Sequence, residues 1–194
     1  MTASTAAHSK SELRQKIRAA LGNISPAVRA VESSALCERL QAQISSARSI
    51  LFFAPLQDEP DIWPVVETSL ALGVHCALPF FDAPRGIYGA KRLTTLATDL
   101  SIGKFGIREP ATGCAEIPLD QLDLVLAPGV AFDSSGRRLG RGRGFYDRLL
   151  AAASGVKCGV AYDFQLLETI PAEPHDARVN FILTPARCVC RKRD

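Results

Sequence analysis

The sequence predicts an α/β protein, with one mainly parallel sheet carrying helices on both faces. Three observations support this. Short apolar runs alternate along the chain with helix-forming stretches. The run Leu122–Gly129, ended by Pro-Gly, leads to glycines 140, 142 and 144 and then to Phe145–Ala153, whose composition forms helix. This order of strand, glycine loop and helix is where open α/β sheets bind ligands. Third, 194 residues at 47% apolar can bury one sizeable core, so a single domain spanning 1–194 is expected.

Taken in order, Ser9 with Glu12 has the spacing of a capping box, and Leu13, Ile17, Ala20 and Leu21 recur at helical spacing, predicting a helix over 10–21. Lys10, Arg14 and Arg18 are four apart and form one basic stripe, which reads as a solvated face or as part of a site. Ser25-Pro26 is an N-cap with proline at the first helical position, and Val28, Val31, Leu36, Leu40 and Ile44 carry a second helix to about Ser46. The N-terminal helices thus cover 10–46. Then come a strand over 49–53, a helix over 61–72, a strand over 74–79 and extended pieces over 87–93 and 102–107. After the glycine loop the pattern predicts a strand over 156–162, a helical turn over 165–168 and a last strand over 179–184.

Composition excludes several classes. A net charge of +3 with 7% aromatic residues supplies neither the basic excess nor the stacking residues of an RNA binder, although Arg191-Lys192-Arg193 is locally basic and reads as a solvated tail. No apolar run approaches the roughly 20 residues that span a bilayer. Residues 1–9 lack the apolar centre of a secretory signal, so a cytoplasmic protein is expected. The six cysteines read as buried or incidental thiols, because Cys188 and Cys190 are separated by one residue, the wrong gap for a zinc knuckle or a thioredoxin motif.

Arg138-Leu139-Gly140-Arg141-Gly142-Arg143-Gly144-Phe145-Tyr146-Asp147, inside the central stretch 127–150, is the segment built for phosphate. Its glycines keep side chains away from the backbone, so successive N–H groups can form an anion-binding concavity. Arg141 and Arg143 add forked donors, and the amino end of the following helix adds partial positive charge. The spacing matches neither a Walker loop nor a dinucleotide fingerprint. A flexible basic loop is the alternative reading of the same glycines and arginines. If nucleotide binds, Mg²⁺ is expected with it, and Asp147 and Asp176 are the candidate carboxylates. Asp147 also serves as a helix-dipole partner and Asp176 as a turn residue. His175 is a candidate to orient Asp176. No metal-ligand cluster of His and Cys is visible.

Together these residues resemble the 5-formyltetrahydrofolate cyclo-ligase (methenyltetrahydrofolate synthetase) family over nearly the whole chain. The resemblance rests on Lys10 and Arg14, on Pro55-Leu56-Gln57-Asp58-Glu59 and on Gly106-Ile107-Arg108-Glu109-Pro110. It is strongest from Ala127 to Asp133 and from Gly136 to Asp147, and it closes with Ile170-Pro171 and His175-Asp176. It implies a three-layer α/β/α, Rossmann-like fold similar to that of phosphosugar isomerases and CoA transferases. It also implies an ATP- and Mg²⁺-dependent cyclisation of 5-formyltetrahydrofolate to 5,10-methenyltetrahydrofolate, by a monomer that binds neither nucleic acid nor membrane.

Carried over by position, the resemblance implies that Lys10, Arg14 and the backbone and side chains of Arg138, Leu139, Gly140, Arg141, Gly142, Arg143, Gly144, Phe145 and Tyr146 contact ATP. Asp147 and Asp176 would hold Mg²⁺, Glu59 would bind the folate, and Arg141 and Arg143 would serve the transfer. Ala54 and the segment from Arg141 to Phe145 would also face the folate. Phe145 stands where the family often has a tyrosine, and Ala54 offers less apolar wall than a larger residue would. The alternatives are a non-catalytic nucleotide or folate sensor and a paralogue with a different second substrate.

Overall fold

The computed structural model describes residues 3–103, 106–173 and 176–191. His175 and the basic residues 192–193 lie outside them. Helix α1 spans Ala3–Gly22 and α2 spans Pro26–Ile44. The expected capping box at Ser9 is not the start of α1, because the alanine-rich turns before it continue the helix and place Ser9 inside. Ser25 does cap α2, its side chain accepting the Val28 N–H. The other elements are β1 (Ser49–Leu51), α3 (Trp63–Ala71), β2 (His75–Asp82), β3 (Ile87–Leu93), β4 (Leu100–Ile102), β5 (Arg108–Pro110) and β6 (Glu116–Ile117). Then follow β7 (Leu124–Pro128), β8 (Ala131–Asp133), β9 (Arg138–Leu139), α4 (Phe145–Ala152), β10 (Val156–Val160), β11 (Leu166–Leu167), β12 (Phe181–Leu183) and β13 (Cys188–Cys190).

Eight strands form one sheet in the order β13-β12-β10-β7-β1-β2-β3-β6. The run from β12 to β2 is parallel, and β13, β3 and β6 join antiparallel at the margins. Strand alternation sends neighbours to opposite faces. Ile50, Leu78, Leu124 and Leu126 pack with Leu36 and Leu40 of α2 and Val65 and Val66 of α3, whereas Leu51, Ala77, Val125 and Ala127 pack with Leu149 and Leu150 of α4. The α/β/α sandwich therefore has α2 and α3 on one face and α4 on the other. Helix α1 belongs to neither face. Its Ile17 and Leu21 pack on Val130, Ala131 and Leu139 of a small second sheet, β11-β8-β9, beside Tyr162 and Ile170.

Two further sequence expectations are corrected, whereas the reading of the cysteines as buried or incidental thiols holds. Of the described residues in the extended piece expected over 102–107, only Ile102 lies in a strand, the end of β4; β5 begins at Arg108, and the two strands pair antiparallel, with Gly106 at φ +72° between them. The helical turn over 165–168 is a 3₁₀ turn at Asp163–Gln165 followed by β11, because the Gln165 side chain satisfies the Tyr162 N–H and the Gly129 and Val130 carbonyls and ends the helix there. Cys37, Cys76 and Cys158 are buried, but Cys188 and Cys190 are exposed on edge strand β13, and the described cysteines are all free thiols. Among the described residues no helix is long and apolar enough to cross a membrane.

Candidate active site

Chain order reverses between β1 and β7: from β1 the sheet grows through β2 in one direction, and from β7 through β10 and β12 in the other. Parallel strands that diverge at such a point leave a crevice beyond their carboxyl ends. The loop after β1 carries Asp58 and Glu59, and the excursion after β7 carries β8, β9 and the glycine loop, so both enter this crevice. Gly142 (φ +100°) and Gly144 (φ +65°) adopt left-handed backbone that larger residues rarely tolerate. Gly144 is the N-cap of α4 and supplies no side-chain cap, which leaves first-turn N–H groups for a ligand.

Arg141 of this loop binds both carboxylates of the β1 loop. Its Nη2 lies 2.5 Å from Asp58 Oδ1, and Nε and Nη2 lie 3.2 and 3.1 Å from Glu59 Oε1. Glu59 is only 7% exposed and also accepts the Leu56 N–H at 3.0 Å. Burial pushes its carboxyl above the usual range, and the Leu56 N–H and Arg141 offset this only in part. A buried carboxylate of this kind is suited to a ligand that brings N–H donors.

Helix α1 lies against the same loop through its basic stripe. Arg14 Nε donates to the Gly140 carbonyl at 2.8 Å, and Arg18 Nη2 to the Arg141 carbonyl at 3.3 Å. Lys10, 6% exposed, binds Glu173 at 2.6 Å and Asp176 at 2.7 Å. Burial lowers the Lys10 ammonium, but the two carboxylates outweigh it and hold the pKa above its ordinary value. Arg14 and the exposed Arg18 thus meet the glycine loop through its carbonyls, and Lys10 meets Glu173 and Asp176.

The remaining expected residues divide by orientation. Arg143 is exposed on the loop. Arg138 turns inward: Nη1 donates to the Pro128 carbonyl, Nη2 reaches Asp147 Oδ1 at 2.9 Å, the guanidinium lies over the Tyr146 ring, and the buried Nε makes no hydrogen bond. Leu139 is buried in the α1 cluster, so its side chain serves the core. Tyr146 is desolvated, with Glu59 near enough to disfavour its ionisation further. Ala54 packs at the margin of the α2 face. Among the described residues, no group of three or more metal-ligating side chains occurs. Asp147 and Asp176 are instead single carboxylates, each held by a cation, Arg138 and Lys10 respectively.

Sequence reasoning missed several contacts. Asp58 and Glu173 were given no role, yet they are counter-ions of Arg141 and Lys10. Tyr88 joins an aromatic series, 4.7 Å from Phe145 and 4.8 Å from Phe81, with Phe145 5.3 Å from Tyr146, and it accepts a hydrogen bond from Arg148 at 2.8 Å. The meeting of β3 with α4 has no local sequence signal that would have placed Tyr88 there.

Comparisons with known proteins show the family and the fold. The model of the 5-formyltetrahydrofolate cyclo-ligase family matches residues 6–185. The chain belongs to that family. It is 37% identical to the 5-formyltetrahydrofolate cyclo-ligase of Mycolicibacterium smegmatis over 95% of this chain and 98% of that protein. Its identity to the Escherichia coli K12 enzyme of the same name is 32%, over 73% of this chain and 80% of that one. The NMR structure of Aquifex aeolicus 5,10-methenyltetrahydrofolate synthetase superposes with a TM-score of 0.85 at 31% identity, covering 95% of this chain and 94% of that one. The family is one of ligases, and the expected α/β architecture is its fold.

Proposed function

We propose that this chain is an ATP- and Mg²⁺-dependent 5-formyltetrahydrofolate cyclo-ligase that forms 5,10-methenyltetrahydrofolate, ADP and phosphate, acting as a cytoplasmic monomer. The observation that carries the reading is the contact of Arg141 with Glu59, which joins the phosphate-type loop to a buried carboxylate at the crevice. Glu59, buried and anchored by the Leu56 N–H, would accept hydrogen bonds from the amino-pyrimidinone edge of the pterin. Lys10, Arg14, Arg141, Arg143 and the amino end of α4 would neutralise and orient the phosphates. The crevice fits such a ligand: uncapped helix N–H groups, left-handed glycines and forked arginines form an anion cradle.

A formamide oxygen is a poor leaving group. Transfer of the γ-phosphoryl group to it, with ADP leaving, makes that oxygen part of a good one; N10 attacks the formyl carbon and gives up its proton to water, and the oxygen departs in inorganic phosphate. Asp147 and Asp176 would hold Mg²⁺, which when bound neutralises charge on the moving phosphoryl group. No nucleophilic side chain is needed. The test is turnover of 5-formyltetrahydrofolate by the purified protein, followed by the absorbance of the methenyl product. Product is expected only with ATP and Mg²⁺ both present. ATP binding without product would leave a sensor or a paralogue with another second substrate.

A further inference from the structure

The two carboxylates on Arg141 are not equivalent. Glu59 is buried and anchored by the Leu56 N–H, whereas the side chain of Asp58 is 31% exposed and that of Arg141 33% exposed. Asp58 binds through Nη2, toward the tip of the guanidinium, and Glu59 also holds Nε, toward its base. An anion entering the crevice can therefore displace Asp58 while Arg141 stays fixed to Glu59. Carboxylate and phosphate oxygens compete for the same forked donors.

We propose that Asp58 is an internal competitor for the nucleotide site, a carboxylate that occupies Arg141 where a phosphate oxygen would bind. The inference rests on reading Arg141 as a phosphate ligand. A single phosphate has to displace Asp58 and then remain beside its negative charge. A polyphosphate reaching the α4 amino end and the α1 stripe as well makes enough further contacts to offset that repulsion. Asp58 thereby weakens every anion that uses Arg141, so that an inorganic phosphate with no further contacts stays unbound while a nucleotide triphosphate still binds. Lys10 is balanced in the same way, by Glu173 and Asp176.

The test is calorimetric titration of Asp58→Asn and Asp58→Ala with ATP plus Mg²⁺ and, separately, with inorganic phosphate. Both variants should bind ATP about two- to fivefold more tightly than the unaltered protein, as expected for loss of a partly exposed ion pair. Phosphate affinity should rise by a similar factor, because the same carboxylate is removed from the same guanidinium, and an unchanged phosphate affinity would also overturn the inference. A purely structural Asp58 would give the opposite sign, because a less ordered Arg141 binds anions less well. Unchanged or weaker ATP binding in either variant overturns the inference. If the unaltered protein itself binds no ATP, the failure belongs to the reading of the whole site. If it binds ATP and the variants do not tighten, the failure belongs to Asp58 alone.

Discussion

Glu59 is the residue at which burial and chemistry meet. Its carboxyl titrates above the usual range because it is buried, so lowering the pH should protonate it and weaken folate binding before ordinary carboxylates respond. In the linkage with stability, the folded state binds this proton more tightly than the unfolded chain does. Stability from this group is therefore lost as pH rises from the ordinary carboxylate value through the raised one. Glu59→Gln should remove both slopes and raise KM for 5-formyltetrahydrofolate roughly 10- to 100-fold, the loss expected for a charge-assisted hydrogen bond. Steady-state kinetics and melting as functions of pH check this, and an unchanged KM contradicts it. Glu59 was legible in the sequence through the Pro55–Glu59 motif. The internal counter-ions Asp58 and Glu173 were not, because a long-range ion pair leaves no periodic trace.

At the scale of elements, α1 is tied to the 173–176 segment by Lys10 and to the glycine loop by Arg14. The raised pKa of Lys10 fixes the sign of its effect. Its stabilisation is fully present below its ordinary value of 10.5 and is lost as pH rises through the higher folded value. Lys10→Met should cost about 2 kcal/mol near neutrality, as for a hydrogen bond to a charged group, and should remove that alkaline limb from urea-unfolding curves. The sequence announced the stripe on α1 but could not say which surface it met. Helix periodicity and apolar runs located α2, α3, β7, β10 and α4 to within a few residues. The two-residue strands β6, β9 and β11 escaped, since pieces that short carry no period and are fixed by tertiary pairing. Pairing β4 with β5 likewise depended on a glycine turn inside what reads as one extended run.

For the whole molecule, the sheet reversal between β1 and β7 creates the crevice, and the core that holds the sheet is separable from the charges that line it. Phe132 is fully buried, and its ring lies where Cβ atoms at Gly129 and Gly159 would be. Phe132→Ala should therefore cost about 3–5 kcal/mol in urea unfolding. Glu59→Gln should raise rather than lower the urea midpoint at neutral pH, because it removes the cost of ionising a buried carboxyl, so that a loss of turnover there reports on chemistry rather than on folding. The parallel sheet and its two helical faces were legible as a class from alternating patterns. The position of α1 on a second small sheet was not, because its apolar face looks like that of any sandwich helix. The central claim is that this crevice moves a phosphoryl group onto the formyl oxygen, and following that oxygen tests it most directly. With 5-formyltetrahydrofolate labelled with heavy oxygen in the formyl group, the account expects the label in the released inorganic phosphate, one atom per methenyl product formed. Label released into water, with the phosphate unlabelled, would contradict it.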